Sequence, residues 1–265
     1  MDHKARDQNA PEHKPTPHSG IAAVDRYLGD GYATVPGMSS RFAAAMVGQM
    51  MRLQSEFGVD GSFAEIGAFE GRFFIALAHA LEPGQKALGM DVFTWPNEGV
   101  MARFEANCQR HGVGADRRVT WKVDSGKTTP AQLLAKVGGQ KVRLFHIDGE
   151  HSQAALTADL ELATATMADG GLIVLDDMLH PGYPTLYLAV DAYLKRHTGW
   201  TILAVLDRES IVAATKFVLA QKTWFKRYED RLLVTAKDFV WPMGAGFEPH
   251  WCLVLALDTR LAAIV

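Results

Sequence analysis

The chain of 265 residues is 48% apolar and 22% charged, with a net charge of −3, which fits one α/β domain with appendages and supplies no basic field for nucleic acid. Its two cysteines, Cys108 and Cys252, are too few for a disulfide framework and fit a reducing, cytoplasmic setting. No membrane partner is expected, because the longest apolar tail, Trp251 to Val265, carries Asp258 and Arg260 and falls short of the roughly 20 residues of a span.

Residues 1–20 are polar, hold Pro11, Pro15, Pro17 and the histidines His3, His13 and His18, and read as a disordered tail rather than a secretory leader. Residues 21–60 read as a helical cap, with helices over Ile21–Leu28 and Ser39–Phe57 and Ser39 or Ser40 capping the second. The turn Gly37–Ser40 between them is placed to lie over a pocket.

Residues 61–220 alternate strand and helix, the signature of a doubly wound, mostly parallel seven-stranded sheet. The strands are expected at Phe63–Ile66, Lys86–Met90, Val119–Val123, Val142–Ile147, Gly171–Leu175, Thr201–Leu206 and Lys216–Ala220. Helices fill Arg72–Leu81, Glu98–His111, Pro130–Val137, Ser152–Ala168 and Thr185–His197. Residues 221–265 then hold a charged helix, Gln221–Phe239, and an extension from Trp241 to Val265 without a clear period. That extension is expected to cover a sheet edge, contact a second copy, or close over the site with Trp241, Phe247 and Trp251.

The stretch Phe63-Ala-Glu-Ile-Gly-Ala-Phe-Glu-Gly-Arg72 runs from a strand through a glycine-spaced turn into a helix. Gly67 and Gly71 let the backbone turn sharply and approach a ligand, and Glu65 stands at the strand's C-terminal end, where open α/β sheets bind ligands. Asp91 ends the next strand, placed to accept the hydroxyls of a ribose. Asp124-Ser125 follow the third, where a carboxylate can accept an adenine amino hydrogen. A dinucleotide fingerprint wants a third glycine at position 69, yet Phe69 stands there and Glu70 brings negative charge. That disfavours a pyrophosphate and, with it, an NAD(P)-dependent oxidoreductase.

On these residues the chain resembles the class I S-adenosylmethionine-dependent methyltransferases. The resemblance implies a Rossmann-like methyltransferase fold and S-adenosylmethionine as methyl donor. Glu65, Gly67 and Gly71 would face its methionine part, Asp91 its ribose, and Asp124 with Ser125 its adenine.

A second block, Phe145-His-Ile-Asp148-Gly-Glu-His151-Ser, is followed by Asp176-Asp177 at the end of the next strand. Adjacent parallel strands bring Asp148, Asp176 and Asp177 together, and three carboxylates at one point need a cation. All-oxygen ligands suit Mg²⁺, Mn²⁺ or Ca²⁺ rather than zinc. Ile-Asp-Gly-x-His and the later acidic pair resemble a subfamily that includes metal-dependent sugar O-methyltransferases of antibiotic pathways. That likeness implies Mg²⁺ on Asp148, Asp176 and Asp177, with Asp148 also at the donor pocket. It further implies a small-molecule acceptor, a sugar or natural-product hydroxyl.

His151 is the first candidate for the base, since an imidazole titrates near neutral pH, and Glu150 is its rival. His146 reads as a core histidine and His180 as a loop histidine. Trp95, Tyr183 and Tyr187 are candidates to stack on an acceptor or to serve as scaffold. A homo-oligomer and a catalytically vestigial partner protein remain open readings.

Overall fold

All five residues of strand β1, Ser62–Ile66, are buried, as befits a parallel strand covered on both faces. In the computed structural model, which describes residues 15–247 and 250–259, this strand lies inside a wide sheet, third from one edge. The elements before it are α1 (Ala22–Arg26) and α2 (Arg41–Phe57). After β1 come α3 (Arg72–Ala78), β2 (Ala87–Asp91), α4 (Val100–Arg110), β3 (Arg118–Lys122), α5 (Pro130–Lys136) and β4 (Val142–Ile147). The chain continues through α6 (Gln153–Thr166), β5 (Met167–Met178), α7 (Leu186–Arg196), β6 (Trp200–Leu206), β7 (Thr215–Gln221) and α8 (Lys222–Thr235). It ends in β8 (Ala245–Phe247) and β9 (His250–Leu255).

The spatial order is β3-β2-β1-β4-β5-β7-β6-β9-β8. The strands from β3 to β5 are parallel, β7 enters antiparallel between β5 and β6, and the chain reverses direction of travel between β1 and β4. That reversal opens a crevice at the carboxyl ends of β1 and β4, where doubly wound sheets bind ligands. Helices α2, α3, α4 and α8 bury one face of the sheet; α5, α6 and α7 bury the other.

All seven expected strands are present, but among the described residues the sheet has nine. The tail supplies the other two: β9 lies parallel to β6, with Ala204 beside Leu253, and β8 folds back on β9. The pairing spans about fifty residues of chain, so no local period announces it. Of the three uses open to the tail, covering the sheet edge is the one the structure shows. Phe247 packs on Phe217 at 5.3 Å between ring centroids, and Trp251 faces solvent.

At the other end of the chain, Ser40 caps α2 by accepting from the Ala43 amide at 2.8 Å, and Gly58, at φ 76°, ends it. Ser19 is buried and its hydroxyl donates to Asp25 at 2.8 Å. The rest of the expected disordered tail, with His3 and His13, lies largely outside the described residues.

Candidate active site

A cavity of about 1190 Å³ opens over the carboxyl ends of the first five strands. The turn after β1 forms its floor. Gly67 has φ 82°, and a β-carbon there would sit 1.8 Å from the Asp148 carbonyl oxygen, so the β1 turn and the β4 end touch through a position only glycine can hold. Gly71, at φ 92°, starts α3 against the Phe104 ring and stands behind the cavity wall.

Asp91 braces this turn. One carboxylate oxygen accepts the Phe69 amide at 2.9 Å and the other accepts the Phe93 amide at 2.7 Å. Both phenylalanines hold positive φ, 46° and 50°, a conformation that costs energy and persists where the surroundings impose it. Each oxygen keeps a lone pair for a ribose hydroxyl. Asp124 and Ser125 also line the cavity, beyond β3. The Lys127 ammonium donates to Asp124 at 2.9 Å and lowers its carboxyl, while the Gly126 amide donates to it at 3.0 Å.

Glu65 is buried, and one of its oxygens lies 2.7 Å from His146 Nδ1. Burial pushes its carboxyl up against the opposing effect of His146. Its other oxygen has no partner in the protein. Glu65 faces a smaller crevice of about 30 Å³, whose wall shares Gly67, Phe69 and Asp148 with the main cavity.

The three expected metal ligands divide. Asp176 is paired with Lys216, a lysine of β7 with no exposed surface. Lys216 Nζ also lies 3.4 Å from His146 Nε2 and 4.7 Å above the Phe73 ring. Burial pushes the Asp176 carboxyl up, but Lys216 and His146 outweigh it and hold the group below the usual carboxylate range. Its free oxygen accepts the Asp177 amide at 2.8 Å, holding Asp177 at φ 56°. Asp176 lines the cavity but is engaged by Lys216, and its oxygens are not among the donor atoms that converge there. Lys216 escaped sequence reading because only the antiparallel register of β5 and β7 brings it there.

Asp148, Asp177 and His151 instead place donor atoms within 4.8 Å of one another. His151 Nε2 contacts Asp177 and lies 3.9 Å from Asp148. Burial and the neighbouring Asp176 and Asp177 push the Asp148 carboxyl well above its ordinary value. A carboxyl so disfavoured as an anion is one that a cation would ionise, so the donors fit a divalent ion; the two carboxylates suit Mg²⁺ or Mn²⁺, and the imidazole adds a ligand that softer first-row ions prefer.

Tyr183 stacks on His151, rings 4.1 Å apart and 16° from parallel, and His180 stacks on Tyr183 at 4.9 Å. The loop histidine and tyrosine are thus cavity wall, as are Glu150, Trp95 and Met38 from the expected turn. Tyr187 packs on Phe217 and Phe247 as scaffold. Sequence reading also missed Asp159, buried on α6 and lining the cavity, with one oxygen unpartnered. Burial lifts its carboxyl to about 6, against a hydrogen bond from Ser125. The signal available was an acid on the apolar face of a helix.

Residues 64–178 match a family model described as a methyltransferase domain. Over these residues the chain carries a methyltransferase domain. The match spans β1 to β5 and includes Glu65, Asp91, Asp124, Asp148 and the acidic pair, so the S-adenosylmethionine-dependent enzyme class expected from the sequence stands, and the oxidoreductase reading is not favoured. No curated protein matches the chain. Solved structures agree on the fold. The O-methyltransferase NovP superposes with a TM-score of 0.53 at 14% identity, over 68% of this chain and 78% of its own. The TDP-rhamnose 3'-O-methyltransferase CalS11 of calicheamicin biosynthesis does so at 0.52 and 19%, over 74% and 90%. The O-methyltransferase of Bacillus cereus, in complex with S-adenosylhomocysteine, gives 0.53 and 16%, over 76% and 90%.

Proposed function

We propose that this methyltransferase transfers the methyl group of S-adenosylmethionine to an oxygen of a small-molecule acceptor, with a divalent cation held by Asp148, His151 and Asp177. One observation carries the reading: these three donors face the same cavity as Asp91 and Ser125. A donor bound across the strand ends would then present its methyl group toward the acidic cluster.

Asp91 would hold the ribose hydroxyls and Ser125 the adenine edge. The unpartnered oxygen of Glu65 suits the ammonium of the methionine part. A bound divalent ion would supply Lewis acidity, lowering the pKa of an acceptor hydroxyl. With the His151 ring engaged by Asp177, Glu150 becomes the better-placed base, exposed at the cavity and able to take the hydroxyl proton as oxygen attacks. The Tyr183–His151 stack holds the imidazole plane, and Asp176 holds the Asp177 backbone. Alignment of acceptor oxygen, methyl and sulfur is the principal contribution of such a site.

Calorimetric titration with S-adenosylhomocysteine, with Mn²⁺, with Mg²⁺ and with chelator, tests the reading. Micromolar donor-product binding and stoichiometric metal binding are expected. No binding of S-adenosylhomocysteine under any of these conditions would refute it.

A further inference from the structure

The cavity of about 1190 Å³ exceeds the roughly 300–1,000 Å³ that encloses one drug-sized ligand, so donor and acceptor have room together. Seven carboxyl groups line it. Asp91 stands at the proposed ribose end, with Asp124 and Asp159 at the adenine end. Asp148, Glu150, Asp176 and Asp177 surround the reacting end. The two lysines beside them are already committed, Lys127 to Asp124 and Lys216 to Asp176. The donor adds one net positive charge and a divalent ion two, which leaves the loaded cavity acidic.

The mouth has a different character. Met38, Val92, Trp95, Tyr183 and Val212 line it with between 37% and 63% of their surface exposed. Trp95 lies 5.4 Å from the Phe69 ring, and Tyr183 lies flat on His151. Apolar surface thus runs from the opening inward to the acidic cluster.

We infer that the acceptor is an uncharged or cationic molecule with an apolar body, and that phosphorylated and carboxylated acceptors are rejected. The inference rests on the methyl-transfer reading above. Juxtaposed like charges oppose binding, whereas complementary ones select a partner. An apolar body covers the exposed rim and leaves the acceptor hydroxyl facing Asp148, His151 and Asp177. A diphosphate or carboxylate would enter a field of its own sign and find the neighbouring lysines occupied.

Four probes test this on the full chain saturated with S-adenosylhomocysteine and Mn²⁺: 4-ethylcatechol (neutral), dopamine (cationic), 3,4-dihydroxyphenylacetate (anionic) and TDP-rhamnose. By calorimetry, the neutral and cationic catechols should bind at least about tenfold more tightly than the anionic one, and TDP-rhamnose should not compete. Val212→Lys, a substitution at an exposed rim position, should narrow the gap between neutral and anionic catechols at least about threefold. Equal or tighter binding of either anion, no binding of any catechol, or an unchanged gap in Val212→Lys overturns the inference. If S-adenosylhomocysteine itself does not bind, the methyl-transfer reading falls and the inference with it; donor-product binding with the wrong acceptor order overturns the inference alone.

Discussion

Replacing Lys216 by Met removes the cation from a buried pair and leaves Asp176, 8% exposed, as an anion without its partner. Breaking such a pair costs about 3–5 kcal/mol, because the remaining charge has lost its water and its counter-ion. In a chain of this size, each kcal/mol lowers the midpoint by about 2–4 °C, so the variant should melt about 6–20 °C lower at pH 7. The double variant Asp176→Asn/Lys216→Met keeps the oxygen that accepts the Asp177 amide and removes both charges, so it should recover most of the loss. The pH dependence has a definite sign. Asp176 has a depressed folded pKa, so its contribution is present above the unfolded carboxylate value, about 3.9, and is lost as pH falls through the folded value. The gap between wild type and Lys216→Met should therefore persist at neutral pH and close in acid. Thermal unfolding followed by circular dichroism reads all of this. A single variant melting within about 2 °C of wild type, or a double variant less stable than the single, would refute the account of the pair.

Gly67→Ala places a β-carbon 1.8 Å from the Asp148 carbonyl in a left-handed backbone, a strain of about 1–3 kcal/mol before the clash is counted; S-adenosylhomocysteine affinity should be lost, and titration within threefold of wild type would disprove the contact. Asp91→Ala removes the brace on the Phe69 and Phe93 amides and two proposed ribose bonds, so affinity should fall by about 1–3 kcal/mol, roughly 5- to 150-fold. Asp177→Asn should weaken Mn²⁺ binding, read by paramagnetic resonance of free Mn²⁺, with donor-product affinity nearly intact; equal loss of both would place Asp177 in the donor pocket. Asp159 has its folded carboxyl raised to about 6, so wild type should lose about 2–3 kcal/mol relative to Asp159→Asn as pH rises from about 4 through 6; parallel melting curves at pH 4 and 7 would contradict that burial cost.

What could be read from the chain follows a physical division. Gly67, Asp91 and Asp148 were legible because strand ends in a parallel sheet share one edge, and each residue sits where an apolar run stops. The strand positions from β1 to β7 were legible for the same reason, each run being bounded by turn residues. Lys216 and Asp159 were not, since an acid or a lysine within an apolar pattern reads as a surface residue until a register or a helix face places it. His151 stood out as a candidate base, but its closeness to Asp177 depends on that residue's left-handed backbone, which the adjacent Asp176 holds while itself paired with Lys216 of β7. Strand β9 went unread because its partner, β6, lies far back in the chain, and the three-residue β8 is too short to show a period.

The two outer strands bear on how copies of this protein meet. A sheet margin with free backbone donors and acceptors is a template for a further strand, and natural sheets shorten or charge such margins. At one margin β3 carries Arg118 and Lys122; at the other β8 is only three residues long. Neither invites continuation into a neighbouring molecule. Any homo-oligomer should therefore form through helices, with each sheet ending inside its own subunit, and shortening the chain before β9 would bare β6 and convert a closed margin into an adhesive one.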